Sequence, residues 1–461
     1  MTTLTFPLSR IEGHAQVVIE VRDGQVLSAR FQSTEFRGFE YFLQGVPAEQ
    51  VPVIVPRVCG VCSTAHHVAA VKALEDAYGV TPPPLAQRIR ELLLIGQIIQ
   101  NQATSLFIFT LPDRLDVNSL FELVAGGDGD QRSSRLATRA LQVRKVGTDL
   151  ITLAGGQFIH PVKAVVGGVT SGISAQAAEA MRAEIEVALP LACELFDEYW
   201  QASLALSARL GTWGDDAPAC YIASVGERCP NYEGRCTCAA GQGEKSNAGE
   251  RSSCYEGGGC LRVLGTAGAE STCFEARRFR EYLVYQETEY SYAGQTSYRG
   301  EVLRANSLAR INMARAMGTP LADEYLARFR ASFGHPAHAI LLFDLARGIE
   351  LVYALERALE ILSAPLDGED TDVPYAPRDG EGYGLVEAPR GPLIHHYVIE
   401  KGLIARAELI IPTVHNMRAI ERALRVAAER YIKGGQVNLE LERAVGRVVR
   451  AFDPCIACAT H

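Results

Sequence analysis

The chain lacks several patterns that would each define a class of protein. No run of eighteen apolar residues occurs, and the apolar helical stretch around residues 338–364 is interrupted by charged side chains, so we expect no membrane-spanning helix. The first residues lack the basic region and the apolar core of a signal peptide, which predicts a cytoplasmic protein. A net charge of −9 gives no indication of a nucleic-acid or membrane-surface partner.

Two further absences concern cofactors. The sequence has no Gly-x-Gly-x-x-Gly loop for a dinucleotide and no closely spaced cysteine run of the ferredoxin type. We therefore expect neither a bound nucleotide nor an iron–sulfur cluster of the ferredoxin type in this chain. It also has no internal repeat and no proline-rich linker.

What the chain does have is cysteine. Twelve cysteines occur in 461 residues, with 48% hydrophobic and 21% charged residues, a composition typical of globular proteins. In a chain predicted to be intracellular, this number indicates metal ligation before disulfide bonds. Length alone would allow about three domains.

Two cysteine pairs with the same C-x-x-C spacing lie near opposite ends of the chain, each followed by a histidine three or four residues later. They are Cys59 and Cys62 with His66, and Cys455 and Cys458 with His461. Four thiolates favour zinc, an iron–sulfur cluster or nickel and iron over magnesium or calcium. If they share one site, the two ends of the chain must meet, and we expect residues 1–461 to form a single integrated domain.

The hydrophobic pattern predicts an α+β fold that is mainly helical, with a core of long helices and small peripheral β-sheets. Residues 15–35 alternate apolar and polar positions around Asp23-Gly24, which is typical of a β-hairpin. A helix is predicted from Ser63, as its N-cap, to Tyr78. Helical periodicity recurs at residues 84–110, 131–154, 175–210, 319–332, 337–363, 417–433 and 438–452.

Residues 229–260 differ from their surroundings because they are rich in glycine, serine and cysteine and almost free of aliphatic side chains. The composition predicts an inserted loop. Its cysteines are Cys229, Cys236, Cys238, Cys254 and Cys260. Their spacing matches no ferredoxin or zinc-finger pattern, so we interpret the segment as a loop with free thiols or local disulfides, and a bound zinc or extra cluster as the alternative.

The residues around the two cysteine pairs carry a resemblance to one family. Arg57-Val-Cys59-Gly-Val-Cys62-Ser-Thr-Ala-His66 with Asp453-Pro-Cys455-Ile-Ala-Cys458-Ala-Thr-His461 resembles the large, catalytic subunit of [NiFe]-hydrogenases. Further landmarks are Arg10-Ile-Glu12-Gly-His14, Phe36-Arg-Gly-Phe-Glu40, Glu387-Ala-Pro-Arg390-Gly and Pro412-Thr413. The resemblance covers essentially the whole chain. It is strongest to the cytoplasmic bidirectional, NAD-linked branch, with His395-His396-Tyr397 among the details.

The resemblance implies a nickel–iron centre that catalyses reversible heterolytic cleavage of H2 to protons and electrons. Cys62 and Cys458 would bridge nickel to iron, whereas Cys59 and Cys455 would bind nickel only. The iron would carry carbon monoxide and cyanide ligands, which no residue supplies. The redox step would therefore belong to the cofactor, and the protein would orient it.

Glu12 is the implied proton carrier. The resemblance places it next to Cys455, where a carboxyl group could take a proton from a thiolate ligand in a site that excludes water. The alternative interpretation is a buried structural glutamate paired with Arg10 or His14.

Arg390, which follows Pro389, is implied to lie over the open face of the metals, where it could polarise H2 or take its proton. Otherwise it closes a surface loop. Asp453 could orient Arg390 or cap the segment at Pro454. Thr413 would donate a hydrogen bond to a cyanide nitrogen, or only start a turn.

Two histidines have different implied roles. His66, four residues after Cys62, could lie over that sulfur and bond it, or be an ordinary core histidine. His461 would bind magnesium together with Glu40, the main-chain carbonyl of Leu409 and water. The resemblance also predicts a mature chain from which an extension after His461 has been removed, or one encoded without it.

Partners follow from what the chain lacks. The resemblance implies a small subunit with iron–sulfur clusters and a diaphorase module with flavin and NAD. The alternative within the family is a hydrogen sensor with low turnover. The alternative outside it is a structural zinc site without catalysis.

The chain departs from the family pattern at Gln100-Asn101-Gln102, where some branches have His-Asp-His. A carboxylate expected near Arg390 is therefore missing.

Overall fold

Long helices form the core, and the predicted α+β, mainly helical fold is confirmed. The computed structural model describes residues 1–125, 131–225, 259–266, 268, 271–432 and 439–461. Its helices are α1 (Phe39–Phe42), α2 (Val51–Ile54), α3 (Ser63–Tyr78), α4 (Pro84–Ala103), α5 (Leu111–Leu115), α6 (Leu120–Ala125), α7 (Gln131–Gly155), α8 (Ala175–Leu210), α9 (Phe279–Tyr282), α10 (Ser307–Met313), α11 (Pro320–Phe333), α12 (Leu342–Leu362), α13 (Pro412–Tyr431), α14 (Leu439–Phe452) and α15 (Ile456–Ala459). Helix α4 packs against α7 and α12, and α12 packs against α8.

Small sheets surround these helices. Their strands are β1 (Thr2–Pro7), β2 (Ala15–Arg22), β3 (Gln25–Ser33), β4 (Ala164–Val165), β5 (Gly168–Val169), β6 (Cys220–Val225), β7 (Cys260–Leu264), β8 (Ser271–Glu275), β9 (Leu283–Thr288), β10 (Ser291–Tyr298), β11 (Glu301–Arg304), β12 (Gly380–Ala388), β13 (Gly391–Glu400) and β14 (Leu403–Ile410). In the described part of the chain, the sheet orders are β1-β2-β3, β8-β7-β6-β11-β10-β9, β12-β13-β14 and β4-β5. The hairpin predicted at 15–35 is confirmed as β2 and β3.

The predicted helix bounds agree with the structure except at some ends. Helix α3 has its predicted bounds, but its N-cap residue is Cys62 and Ser63 is the first helical residue. Helix α13 begins at Pro412 rather than at 417, because proline is compatible with the first turn of a helix. Helix α12 begins at Leu342 rather than at 337.

Helix α4 continues through a π-helical segment, Thr104–Thr110, into α5. This run, Pro84–Leu115, is long and apolar enough to cross a membrane by length and composition, a candidate that a search for uninterrupted apolar residues misses. However, 83% of its most apolar window is buried inside the protein. A buried apolar helix at the centre of a helical core has the same composition.

Three charged residues in the first half of α12 do not face solvent. Asp344, Arg347 and Glu350 are completely buried and form ion pairs. Asp344 pairs with Arg114 and Arg347, and Glu350 pairs with Arg310. Buried charges are tolerated only when paired and hydrogen-bonded, so α12 is a core helix despite its charges.

The two ends of the chain meet beside each other, as the cysteine pairs predict. Glu12 and Cys455 form a parallel bridge, and the backbone N–H of Ile456 donates to the carbonyl of Glu12 at 3.2 Å. Gly13 permits this approach, because its φ is +79° and a Cβ there would lie 2.7 Å from the Cβ of Ile456. Of the predicted loop, residues 229–258 lie outside the described residues, and Cys260 begins β7.

Candidate metal centre

Four cysteine sulfurs meet where the first and last segments of the chain come together. All four cysteines are buried, and their Sγ atoms lie within 4.8 Å of one another. The Sγ of Cys455 is 3.3 Å from that of Cys59, 3.7 Å from that of Cys62 and 2.9 Å from that of Cys458. None of the cysteines in the described residues forms a disulfide bond.

Each pair lies at a break in helical structure. Cys59 is extended between the short 3₁₀ turn Val55–Val58 and α3, and Cys62 is the N-cap of α3. Cys455 is the extended residue before α15, and Cys458 lies within that short helix. These breaks let both sulfurs of each pair point inward, toward the other pair.

The donor set fits a soft metal. Burial raises the pKa of the Cys455 and Cys458 thiols well above the ordinary value, whereas hydrogen bonds from Cys455 and the other thiols, with the charge of Arg390, lower that of Cys62. Several buried thiolates this close together require a cation to offset their charge. Sulfur ligands at this spacing can hold zinc, or nickel and iron.

Glu12 contacts the cluster at Cys455. Its Oε2 lies 3.0 Å from the Cys455 Sγ and accepts a hydrogen bond from the N–H of Ala457 at 3.0 Å. The alternative pairings are not observed, because Arg10 binds Asp113 and His14 binds Glu35. The partly buried Glu12 carboxyl is therefore positioned to exchange a proton with Cys455.

Arg390 covers another face of the cluster and is buried rather than part of a surface loop. Its Nη1 donates to the Cys62 Sγ at 3.2 Å, its Nε to the Asp453 carbonyl at 2.6 Å, and its Nη2 to the Asp453 Oδ1 at 3.1 Å. Burial alone would lower the pKa of Arg390, but the charges of Asp453 and Cys62 raise it well above its ordinary value. Asn101 donates to the Asp453 Oδ2 at 3.1 Å, so in place of the missing carboxylate this chain presents an amide.

His66 lies beside Cys458 rather than Cys62. Its Nε2 is 3.4 Å from the Cys458 Sγ, and its Nδ1 is 2.9 Å from the Nε2 of His395. The Nδ1 of His395 is in turn 2.7 Å from the hydroxyl of Tyr397. The predicted contact with the Cys62 sulfur is wrong because the end of the helical side chain reaches the opposite cysteine pair.

Thr413 and Pro389 each fix a segment of the chain beside the cluster by accepting one hydrogen bond. The hydroxyl oxygen of Thr413 accepts a hydrogen bond from the Cys455 N–H at 3.1 Å, which leaves its own proton to donate. Thr413 lies in the first turn of α13 rather than in an isolated turn. The carbonyl of Pro389 accepts from Arg310 at 2.8 Å, which fixes the segment before Arg390.

The residues predicted to bind magnesium also come together. The Nε2 of His461 lies 3.3 Å from the Oε1 of Glu40, which accepts from the Leu409 N–H at 2.6 Å. The contact of Leu409 with Glu40 is thus through its N–H, whereas its predicted role was through the carbonyl. All three residues line one cavity of about 680 Å³.

Comparison with known proteins agrees with this geometry. The family model described as nickel-dependent hydrogenase matches residues 37–125 and 249–461, and a model described as HoxL-like matches residues 5–36. The chain belongs to the nickel-dependent hydrogenase family. It is therefore an oxidoreductase that acts on H2.

Two curated relatives illustrate its place among hydrogenases. The hydrogenase is similar to a chain of the F420-non-reducing hydrogenase vhu of Methanococcus voltae, with 32% identity over 92% of this chain and 97% of the relative. It is also similar to the NAD-reducing hydrogenase HoxS subunit beta of Cupriavidus necator, with 30% identity over 99% of this chain and 93% of the relative. Both alignments thus extend over nearly the full length of each protein.

Solved structures confirm the fold. An NAD+-reducing [NiFe]-hydrogenase in its H2-reduced state matches with a TM-score of 0.87 and 29% identity over the whole of both chains. A Ni-Fe-Se hydrogenase from D. vulgaris Hildenborough matches with a TM-score of 0.76 and 23% identity, also over both whole chains, and shows the shared fold alone.

Sequence reasoning missed two contacts of this hydrogenase. The pattern His395-His396-Tyr397 was noted as a resemblance, but no role near the sulfurs was derived from it. In a strand, residues i and i+2 lie on the same face, and this alternation could have paired His395 with Tyr397. Their contact with His66, far away in sequence, required the structure.

Proposed function

We propose that this chain is the catalytic subunit of a hydrogenase complex that cleaves H2 reversibly at a nickel–iron centre. Cys59, Cys62, Cys455 and Cys458 would hold the metals, with Cys62 and Cys458 as the bridging ligands. The observation that carries the proposal is the Glu12 carboxyl, 3.0 Å from one of four clustered, buried sulfurs. A structural zinc site would have no use for such a group.

When bound, the nickel–iron centre with its carbon monoxide and cyanide ligands would supply the redox chemistry. Cys455 would accept the proton at its Sγ, and Glu12 would take it from there at its Oε2. The N–H of Ala457 orients that carboxyl oxygen. The Cys455 side thus offers a partly buried proton acceptor beside a buried sulfur.

Arg390 would polarise H2 over the metals. It is held by Asp453 through two hydrogen bonds, and its fixed charge lies against the Cys62 sulfur. Because the guanidinium is already oriented, no rearrangement is required during the reaction. Thr413, whose hydroxyl proton is available, would donate to a cyanide nitrogen.

A magnesium ion is proposed at Glu40, His461 and the carbonyl of Leu409. A carboxylate, an imidazole and a carbonyl beside a cavity leave room for the water ligands that magnesium prefers. The short distance between His461 and Glu40 supports the site.

The electrons would pass to a small subunit with iron–sulfur clusters and then, through diaphorase subunits, to NAD or another soluble carrier. The NAD-reducing relatives support this route, and we propose a cytoplasmic location with it. We further propose a single integrated domain, because one hydrophobic core includes residues from Phe6 to Ala459, and an inserted loop at 229–260.

Elemental analysis of the purified complex tests the proposal. Nickel and iron near one each per chain at this site, after subtraction of cluster iron, with H2-dependent dye reduction, are expected. Zinc alone would refute it and favour the structural zinc site. Metals without appreciable turnover would favour the hydrogen sensor.

A further inference from the structure

A chain of three buried side chains ends at the Cys458 sulfur, whereas Glu12 contacts the sulfur of Cys455. It runs from the hydroxyl of Tyr397 to His395, then to His66, and then to the sulfur, with heavy-atom distances of 2.7, 2.9 and 3.4 Å. The three side chains are at most 1% exposed. We infer that His395 and Tyr397 are positioning residues that fix the tautomer of His66, so that its Nε2–H donates to the Cys458 sulfur.

The direction of the chain follows from proton counting. A thiolate that holds a metal has no proton to donate, so His66 would donate through Nε2, and its Nδ1 would accept. His395 must then donate through Nε2 and accept through Nδ1. The only proton left for that nitrogen is the one on the Tyr397 hydroxyl.

The opposite direction would leave groups unsatisfied. If His395 donated to Tyr397, the lone pair of the His66 Nε2 would face the negative sulfur. The Tyr397 hydroxyl proton would also have no acceptor, because no other partner of this hydroxyl is found among the described residues. A buried donor without an acceptor costs about 1–3 kcal/mol.

The surroundings keep these groups neutral and in place. Burial raises the pKa of Tyr397 well above its ordinary value and lowers that of His395 well below its own. Strand β13 is paired on both sides, with β12 and β14. Gly382 and Gly384 of β12 let α3 approach the sheet closely, since a Cβ at either position would clash with the backbone of α3.

The consequence concerns the electron density of the centre, and it rests on the proposed function. A hydrogen bond to a thiolate withdraws charge from the sulfur and weakens its donation to the metals. Tyr397 would thus act on the metals through two imidazoles, without touching them.

The test uses infrared spectra of the purified hydrogenase complex, in which the carbon monoxide ligand reports electron density at iron. In Tyr397→Phe the ring is retained and only the terminal donor is lost. We expect normal nickel and iron content, a carbon monoxide band shifted to lower frequency, and turnover reduced by less than about tenfold. Tyr383→Phe is the matched control, because its hydroxyl lies in the same sheet but bonds Glu381; its spectrum should equal that of wild type.

Position 395 provides a second comparison that stands even if Tyr397→Phe does not assemble. In His395→Gln the amide N–H can still donate to His66, so its band should lie near that of wild type, whereas His395→Leu should show the shift. A wild-type spectrum in Tyr397→Phe, or equal shifts in both His395 variants, would overturn the inference. Absence of the bands from the wild-type complex would instead contradict the proposed function.

Discussion

The two sides of the sulfur cluster differ in what they can do with a proton. On the Cys455 side, Glu12 is a partly exposed carboxyl whose Oε2 contacts the sulfur. On the Cys458 side, His66 is completely enclosed, and burial lowers its pKa to about 4. The difference is consistent with the two proposals made above, a proton route through Glu12 and a hydrogen bond from His66 that adjusts the charge on the Cys458 sulfur. The following predictions test that division.

The largest effect is expected for Cys455→Ser. Serine cannot replace a thiolate as a soft ligand, and the Cys455 sulfur contacts both Glu12 and the other cysteines. Nickel content and H2 turnover should both fall to background, measured by elemental analysis and dye reduction. Cys193→Ser, a partly exposed position on α8, should leave both unchanged. If Cys455→Ser retained nickel and turnover, the Cys455 sulfur would not be a ligand of the metal centre.

Arg390→Lys should reduce turnover by about 100-fold while nickel stays bound. An ammonium group cannot reproduce the three hydrogen bonds of the guanidinium to Asp453 and Cys62. The control is Arg277→Lys, which alters an exposed ion pair with Asp76. Normal turnover in Arg390→Lys would show that the orientation of the Arg390 charge does not affect the reaction.

Gly13→Ala should destabilise the contact between the two ends of the chain. The new Cβ would meet Ile456 in a left-handed conformation, and we expect about 3 kcal/mol lower unfolding free energy in chemical denaturation. Gly45→Ala separates the steric clash from the backbone strain, because Gly45 has φ +80° but no neighbouring atom within 4 Å. It should cost about 1 kcal/mol. Equal losses would mean that the Glu12 segment is not tightly packed on α15.

His67, which follows His66 on α3, is also buried, and burial lowers its pKa to about 4. Between this value and the ordinary 6.5, the unfolded chain binds the proton and the folded chain does not, so stability falls as the pH decreases through this range. From pH 7 to pH 5 this group alone should account for about 2 kcal/mol. His67→Asn keeps a donor for the carbonyl of Pro52 and should lose less stability over the same interval. Identical pH dependence would contradict a neutral, buried His67.

Much of the site was predictable because its residues lie within short motifs. The cysteine spacing indicated that the chain ends meet, and the motif around Glu12 placed it beside Cys455. What was missed depends on partners distant in sequence. The charges of α12 were interpreted as interruptions, but Asp344 and Glu350 are buried against arginines of other helices.

The contact of His66 shows the same limit. Helical spacing placed it close to Cys62, but which sulfur it reaches depends on how α15 packs beside α3, and the sulfur proved to be that of Cys458. Likewise, the role of His395 and Tyr397 depends on the approach of α3 to β13. Periodicity predicts which face a side chain occupies and cannot identify the element that packs against it.

The most direct test of the central claim is H2 turnover of Glu12→Gln in the purified complex. Glutamine keeps the size of the side chain and can accept from the Ala457 N–H, but it cannot carry the proton. We predict wild-type nickel and iron content with turnover lower by about 100-fold or more, while Glu35→Gln, a nearby carboxyl bonded to His14, stays active. Near-normal turnover in metal-loaded Glu12→Gln would contradict the proposed proton route.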